Sequence, residues 1–197
     1  MKSFLIIIIT LITASSTGDY KKTIEEFQKE MNTEFKDAKT SPLTEADLAE
    51  FTSLDFYNIN KDYNIEAELV LNTMPKEFGM KTTTDRRPTY VVYGIAKFKI
   101  KGEKVEINIY QNTELVKQDK YKDYLFLLFT DNTSGITSYA GGRYIDLRIP
   151  REDERLVIDF NKAYNPYCAY NHKYSCPIPS EDDHIEIKIE AGIKKWH

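Results

Sequence analysis

The sequence predicts a mainly β chain, α+β by content: an antiparallel β-sandwich or partly open barrel preceded by N-terminal helices. Three observations carry this. The apolar period is helical only before about residue 55, it alternates in steps of two after Tyr63, and no regular exchange of strand and helix follows that would build a parallel sheet. With 197 residues, 41% of them hydrophobic and 29% charged, one domain with a substantial core is expected. Within it, 17–55 reads as a helical lid and 63–197 as the β-domain.

The opening of the chain reads as an address. Lys2 supplies a positive start, and Phe4 to Ile12 forms an apolar run shorter than the ~20 residues of a membrane span. Ala14-Ser15-Ser16 supplies small residues for cleavage, so 1–16 is expected to be a signal peptide. The expectation is a secreted or periplasmic product without stable membrane insertion once the leader is removed. The formal charge of −4 comes from 27 basic and 31 acidic residues interleaved along the chain, which leaves no basic stripe for a phosphate backbone. Nucleic acid is not expected as a partner.

The first element is an amphipathic helix. Tyr20, Ile24, Phe27, Met31 and Phe35 recur at helical steps, and Lys21, Lys22, Glu25, Glu26, Lys29 and Glu30 fill the opposite face. A shorter helix follows, with Thr44 and Asp47 at capping spacing and Leu43 placed to staple to Leu48. Ile65, Ala67, Leu69 and Leu71 then alternate as a half-buried strand, as do Ala96, Phe98 and Ile100. Lys101-Gly102-Glu103-Lys104 returns the chain through Val105, Ile107 and Ile109, which reads as a hairpin. Tyr124 to Phe129 is continuously apolar and is expected to cross the middle of a sheet covered on both faces. Ile185, Ile187 and Ile189 alternate with charged residues and predict a closing strand.

Between these strands lies the segment that carries chemistry. Asp159 to Pro179 holds both cysteines, four tyrosines and three asparagines, too many hydrogen-bonding side chains to bury without dedicated partners. In 144–149 the apolar face is Ile145, Leu147 and Ile149, leaving Tyr144, Asp146 and Arg148 on the other. Leu156, Ile158 and Phe160 form the next apolar face. The short Pro150 to Glu154 link predicts a hairpin that sets Asp146, Asp159 and Asn161 on one polar side, which serves equally as an acid/base pair or as the wet side of a sheet. Upstream, Asp131, Thr133, Ser134 and the Gly141-Gly142 pair lead to Arg143, suited to an anionic ligand or to a structural tie.

For an exported chain, Cys168 and Cys176 read as a disulfide closing a small loop, worth about 2.6 kcal/mol by loop-closure entropy. Two other readings exist: Cys168, His172 and Cys176 as soft metal ligands on a helical face, against which Pro166, Pro177 and Pro179 argue, and Cys168 as a nucleophile. No metal site and no cofactor are expected.

Phe129 to Leu147 and Asp159 to Pro179 together resemble the signature of a bacterial and archaeal domain-of-unknown-function family, the one numbered 1684. The resemblance extends more weakly over nearly all of the chain after the leader. It implies that Gly142, Arg143, Tyr144, Asp159, Asn161, Tyr164, Asn165, Pro166, Cys168, Tyr170, Cys176 and Pro177 belong to the shared motif. It implies no activity, and His172 lies outside the pattern. The functional expectation is a ligand-binding or interaction module for a small molecule, glycan or peptide. Its expected site comprises Arg143, Tyr144, Asp146, Asp159, Asn161, Tyr164, Asn165 and Tyr170. The alternative is a hydrolase using Asp146, Asp159 or Cys168.

Overall fold

The computed structural model describes residues 14–197; the expected leader falls largely on 1–13, outside the described residues. A long helix, α1 (Ala14–Lys36), and a short one, α2 (Glu45–Glu50), precede a mostly antiparallel sheet that curls into a nearly closed barrel. Its strands are β1 (Asn64–Leu71), β2 (Phe78–Gly79), β3 (Thr89–Ile100), β4 (Glu103–Asn112), β5 (Tyr124–Asp131), β6 (Arg143–Arg148), β7 (Leu156–Asp159) and β8 (His184–Ile185). Around the wall they run β6-β5-β4-β3-β1-β7; β2 adds to β3, and β8 adds in parallel to β5.

The local signals act as their chemistry dictates. Thr44 caps α2, its hydroxyl oxygen accepting from the Asp47 amide at 3.1 Å and its hydroxyl donating to the Asp47 carboxylate at 2.7 Å. The β3–β4 hairpin turns on Lys101 (φ 51°) and Gly102 (φ 86°), two consecutive left-handed residues whose twist matches the flanking strands. Strand β5 is buried on both faces. Leu125, Leu127 and Phe129 fill the barrel with Ala67, Ile107, Ile109, Ile145 and Ile158, while Phe126 and Leu128 pack outward with Met80, Tyr90, Tyr110 and Tyr144. The barrel therefore carries a second, aromatic layer on the outside of its β3–β6 wall.

Two expectations are corrected. Strands β6 and β7 are not a hairpin: β6 pairs with β5 and β7 pairs with β1, so they form the two edges of an unclosed seam. The reason is long-range, since β7 finds a full partner in β1 from Asn64↔Asp159 to Ala67↔Leu156. A slot of about 580 Å³ remains between the edges, and Tyr20, Thr23 and Ile24 of α1 line it. Ile24 is fully buried there, so the apolar stripe of α1 covers the seam and protects two open edges.

The second correction concerns the C-terminus. The predicted strand over 185–190 stops at Ile185, and the chain beyond it crosses the end of the barrel as irregular backbone with Ile189, Ala191 and Ile193 buried. Its carbonyls do not join a ladder because Arg143 takes them. The guanidinium donates to the carbonyl oxygens of Ile189 (2.8 Å), Ala191 (2.5 Å) and Ile193 (3.3 Å) and to the Asp131 carboxylate (2.7 Å).

Truncating Ile24 to Ala is expected to cost about 2–5 kcal/mol in urea unfolding, as for other fully buried aliphatic side chains. A change below about 0.5 kcal/mol, typical of surface positions, would show that α1 does not hold the seam.

Candidate functional site

Strand β6 sorts the predicted site residues by alternation. Arg143, Ile145 and Leu147 face the barrel interior, and Tyr144, Asp146 and Arg148 face out. Arg143 is 1% exposed and lies over the rings of Phe129 (5.2 Å) and Tyr57 (5.8 Å). The anion at its guanidinium is the chain's own Asp131, so this arginine is a structural tie and no part of an open site. Gly142 admits it: φ is 87°, and a Cβ there would meet the Phe129 carbonyl oxygen at 2.6 Å and Pro179 at 2.7 Å.

On the outer face, Asp146 stands in an aromatic hollow of about 480 Å³. Tyr124 donates its hydroxyl to Asp146 Oδ1 at 2.7 Å, and Tyr164 donates to the same oxygen at 2.6 Å. Asp146 Oδ2 meets no hydrogen-bond donor among the described residues, and no ion pair neutralises this carboxylate there. Tyr144 closes the floor. Its ring meets Phe126 at 4.8 Å and 72° and Tyr164 at 5.8 Å and 88°, and its hydroxyl donates to the Pro177 carbonyl. Phe27, Met31, Glu34 and Phe35 of α1 form the opposite wall, with Tyr167, Tyr174 and Arg86 at the rim.

Burial raises the pKa of the Tyr124 and Tyr164 phenols, and the adjacent Asp146 charge raises them further; burial also leads the rise at Tyr144. All three therefore remain neutral at physiological pH. Tyr167 repeats the pattern on the α1 side, donating to Glu34 at 2.8 Å. Arg86 is tied to the neighbouring loop through the Ser175 carbonyl (2.7 Å) and hydroxyl (3.1 Å).

The other predicted site residues go elsewhere. Asp159 accepts from the Tyr20 hydroxyl at 3.0 Å, and the Asn161 amide donates to Tyr20, to the Asn60 carbonyl and to Asp159 while its oxygen accepts from the Asn60 amide. This cluster fastens α1 beside the seam. Asp159 and Asp146 both border the seam slot, yet Asp159 is 8% exposed and its oxygens are engaged. Tyr170 is buried against Phe35 and Trp196, and Asn165 donates to the Lys194 carbonyl and to the Tyr170 hydroxyl. Asn165 also borders the hollow and keeps a buried Oδ1 without a partner among the described residues. Of the eight predicted positions, Tyr144, Asp146, Tyr164 and Asn165 share the hollow. Sequence reasoning missed the α1 wall, Tyr90 and Tyr124; Tyr124 opens the apolar run and shows no local sign that its hydroxyl turns to Asp146.

The expected disulfide is not formed. Cys168 and Cys176 are buried free thiols, not at disulfide distance, and the Cys168 backbone amide donates to Cys176 Sγ at 3.2 Å. Hydrogen bonding from the Cys176 thiol lowers the Cys168 pKa, assisted by Tyr139 and Thr83, and the same contact raises that of Cys176. The loop is held instead by Thr83, whose amide donates to the Cys176 carbonyl (2.9 Å) and whose hydroxyl accepts from the Cys176 amide (3.1 Å). His172 is exposed on a non-helical turn. Among the described residues, no group of three or more His, Cys, Asp or Glu side chains is placed to hold a metal, and no helix is long and apolar enough to cross a membrane.

These features define a class: a nearly closed antiparallel barrel with a helix clamped over its seam and an aromatic hollow on its outer wall. The chain belongs to the family described as Protein of unknown function (DUF1684), whose model matches residues 49–194. It is similar to the solution NMR structure of an uncharacterized protein from gene locus rrnAC0354 of Haloarcula marismortui, with 28% identity over 91% of this chain and 96% of that one and a TM-score of 0.69. No curated protein gives a significant match. The family match begins after α1, so Phe27, Met31 and Phe35 lie outside it.

Two measurements check this description. Gly142→Ala is expected to destabilise the protein by at least about 1–3 kcal/mol, because the backbone at φ 87° admits no Cβ without moving Phe129 or Pro179. Alkylation in denaturant without reductant is expected to add two labels, one per thiol; uptake of none would restore the disulfide.

Proposed function

We propose that this protein is a ligand-binding module, exported from the cytoplasm, that takes a small ligand in the aromatic hollow around Asp146. One observation carries the proposal: a hydrogen-bonded carboxylate with an open oxygen stands among tyrosine rings in about 480 Å³ of open space. That volume falls in the ~300–1,000 Å³ range of small-molecule sites, and the lining has their composition, aromatic walls with a few placed polar groups. The hydroxyls of Tyr124 and Tyr164 are tied to Asp146, that of Tyr167 to Glu34 and that of Tyr144 to the Pro177 carbonyl, which holds the rings in place and limits the entropy lost on binding. Export rests on the sequence of 1–16, and a non-nucleic-acid ligand on the charge distribution.

The hydrolase alternative is less well supported. Asp159 is engaged with Tyr20 and Asn161, and Cys168 is 5% exposed.

Small molecules screened against the full chain by thermal shift are expected to include a class that raises Tm, since a ligand at 100 times its Kd adds about 2.7 kcal/mol. Tyr164→Leu, which removes one wall and one hydrogen bond to Asp146, is expected to abolish that shift while the unliganded protein stays folded. A shift retained in this variant would place binding outside the hollow.

A further inference from the structure

Resting on the binding reading above, we infer that the occupant of the hollow is a small organic cation of the alkylammonium class, with Asp146 as its counter-ion. The first argument is charge. Two carboxylates face this space, Asp146 on β6 and Glu34 on α1, and neither is paired with a cation among the described residues. The one basic residue on the rim, Arg86, has its guanidinium directed at Ser175 by two hydrogen bonds. The lining thus sets two exposed carboxylates against one guanidinium whose donors are spent on Ser175, a surplus of one negative charge that a monovalent cation matches.

Geometry gives the second argument. The rings of Tyr144 and Tyr164 stand at 88° to one another, and those of Tyr144 and Phe126 at 72°. Tyr144 and Phe126 are nearly fully buried and form the base, so the accessible rings are those of Tyr124, Tyr164, Tyr167 and Tyr174, the last two inclined at 59° to one another. Rings presented at different inclinations suit a compact group, whereas a flat pyranose needs one open platform. The electronic state of the rings supports it further. Phenols that donate to carboxylates, Tyr124 and Tyr164 to Asp146 and Tyr167 to Glu34, carry extra electron density on the ring and strengthen the negative face that attracts a cation. Cationic side chains of this chain already settle over two rings of the lining: Arg148 lies 5.7 Å from the Tyr124 centroid and Lys173 lies 5.1 Å from that of Tyr174.

The test uses choline and its uncharged isostere 3,3-dimethylbutan-1-ol, titrated separately into the full chain by calorimetry and by amide chemical-shift mapping. Choline is expected to bind at least about tenfold more tightly than the alcohol and to shift resonances of Tyr144, Asp146 and Tyr164. In Asp146→Asn, whose amide oxygen still accepts both tyrosine hydroxyls, choline is expected to lose about tenfold while the alcohol is unchanged. Equal affinity of the wild-type protein for the two compounds overturns the cation inference and leaves a ligand-binding hollow standing. Failure of both to bind overturns the inference as well, and a thermal-shift hit of another chemical class would then show that only the charge assignment had failed.

Discussion

Arg143 is the constraint on which the rest of the structure depends. A guanidinium in a barrel interior is tolerated only if its charge is matched and most of its donors are engaged; here one carboxylate and three carbonyls meet its two terminal nitrogens, while Nε has no partner among the described residues. Asp131 is itself fixed, because its other oxygen accepts from the Thr133 and Ile189 amides. The effect is to draw 189–193 across the barrel end in a conformation that neither helix nor sheet would satisfy. Gly192, at φ 75° and pressed against the Phe160 and Ala163 carbonyls, permits the turn that presents the Ala191 and Ile193 oxygens to the same guanidinium. Once Arg143 is set inward, strand alternation sends Tyr144 and Asp146 outward, so the buried tie fixes the orientation of the candidate site.

The N-terminal helix couples the open seam to the hollow. Its first turns cover the gap between β6 and β7 through Ile24 and the Tyr20-Asp159-Asn161 cluster, and its later turns supply Phe27, Met31, Glu34 and Phe35 to the hollow's wall. Anything that loosens α1 therefore opens both features. Phe35 and Met31 also belong to a buried cluster with Leu43, Leu54, Tyr170 and Ile193, whereas Phe27 and Glu34 lie outside the buried clusters, so variation at these last two alters the shape of the hollow with least effect on the packing beneath it.

Features set by neighbouring residues were legible in the sequence. The period of Tyr20 to Phe35 located α1, Thr44 with Asp47 located the start of α2, Lys101-Gly102 marked the hairpin, and the unbroken run at Tyr124 to Phe129 identified a strand buried on both faces. Features set by distant partners were not. The link at Pro150 to Glu154 is short enough for a hairpin, and only the competing partner β1 explains why none forms. Ile185 to Ile189 alternates like a strand, but the carbonyls that follow are claimed by Arg143, whose position two residues before Ile145 was the one available sign that it points inward. The four tyrosines and three asparagines of 159–179 correctly announced that polar side chains would need partners, while leaving undetermined whether those partners were ligand or chain; for Asp159, Asn161 and Tyr170 they are chain.

Urea unfolding of Arg143→Met tests the buried tie most directly. Removing the guanidinium strands the Asp131 carboxylate, which is fully buried, and leaves three carbonyls without their donor, so a loss of about 3–5 kcal/mol is expected. A loss within about 0.5 kcal/mol, the range of ordinary surface substitutions, would contradict the account and return Arg143 to the role of an exposed, ligand-facing side chain.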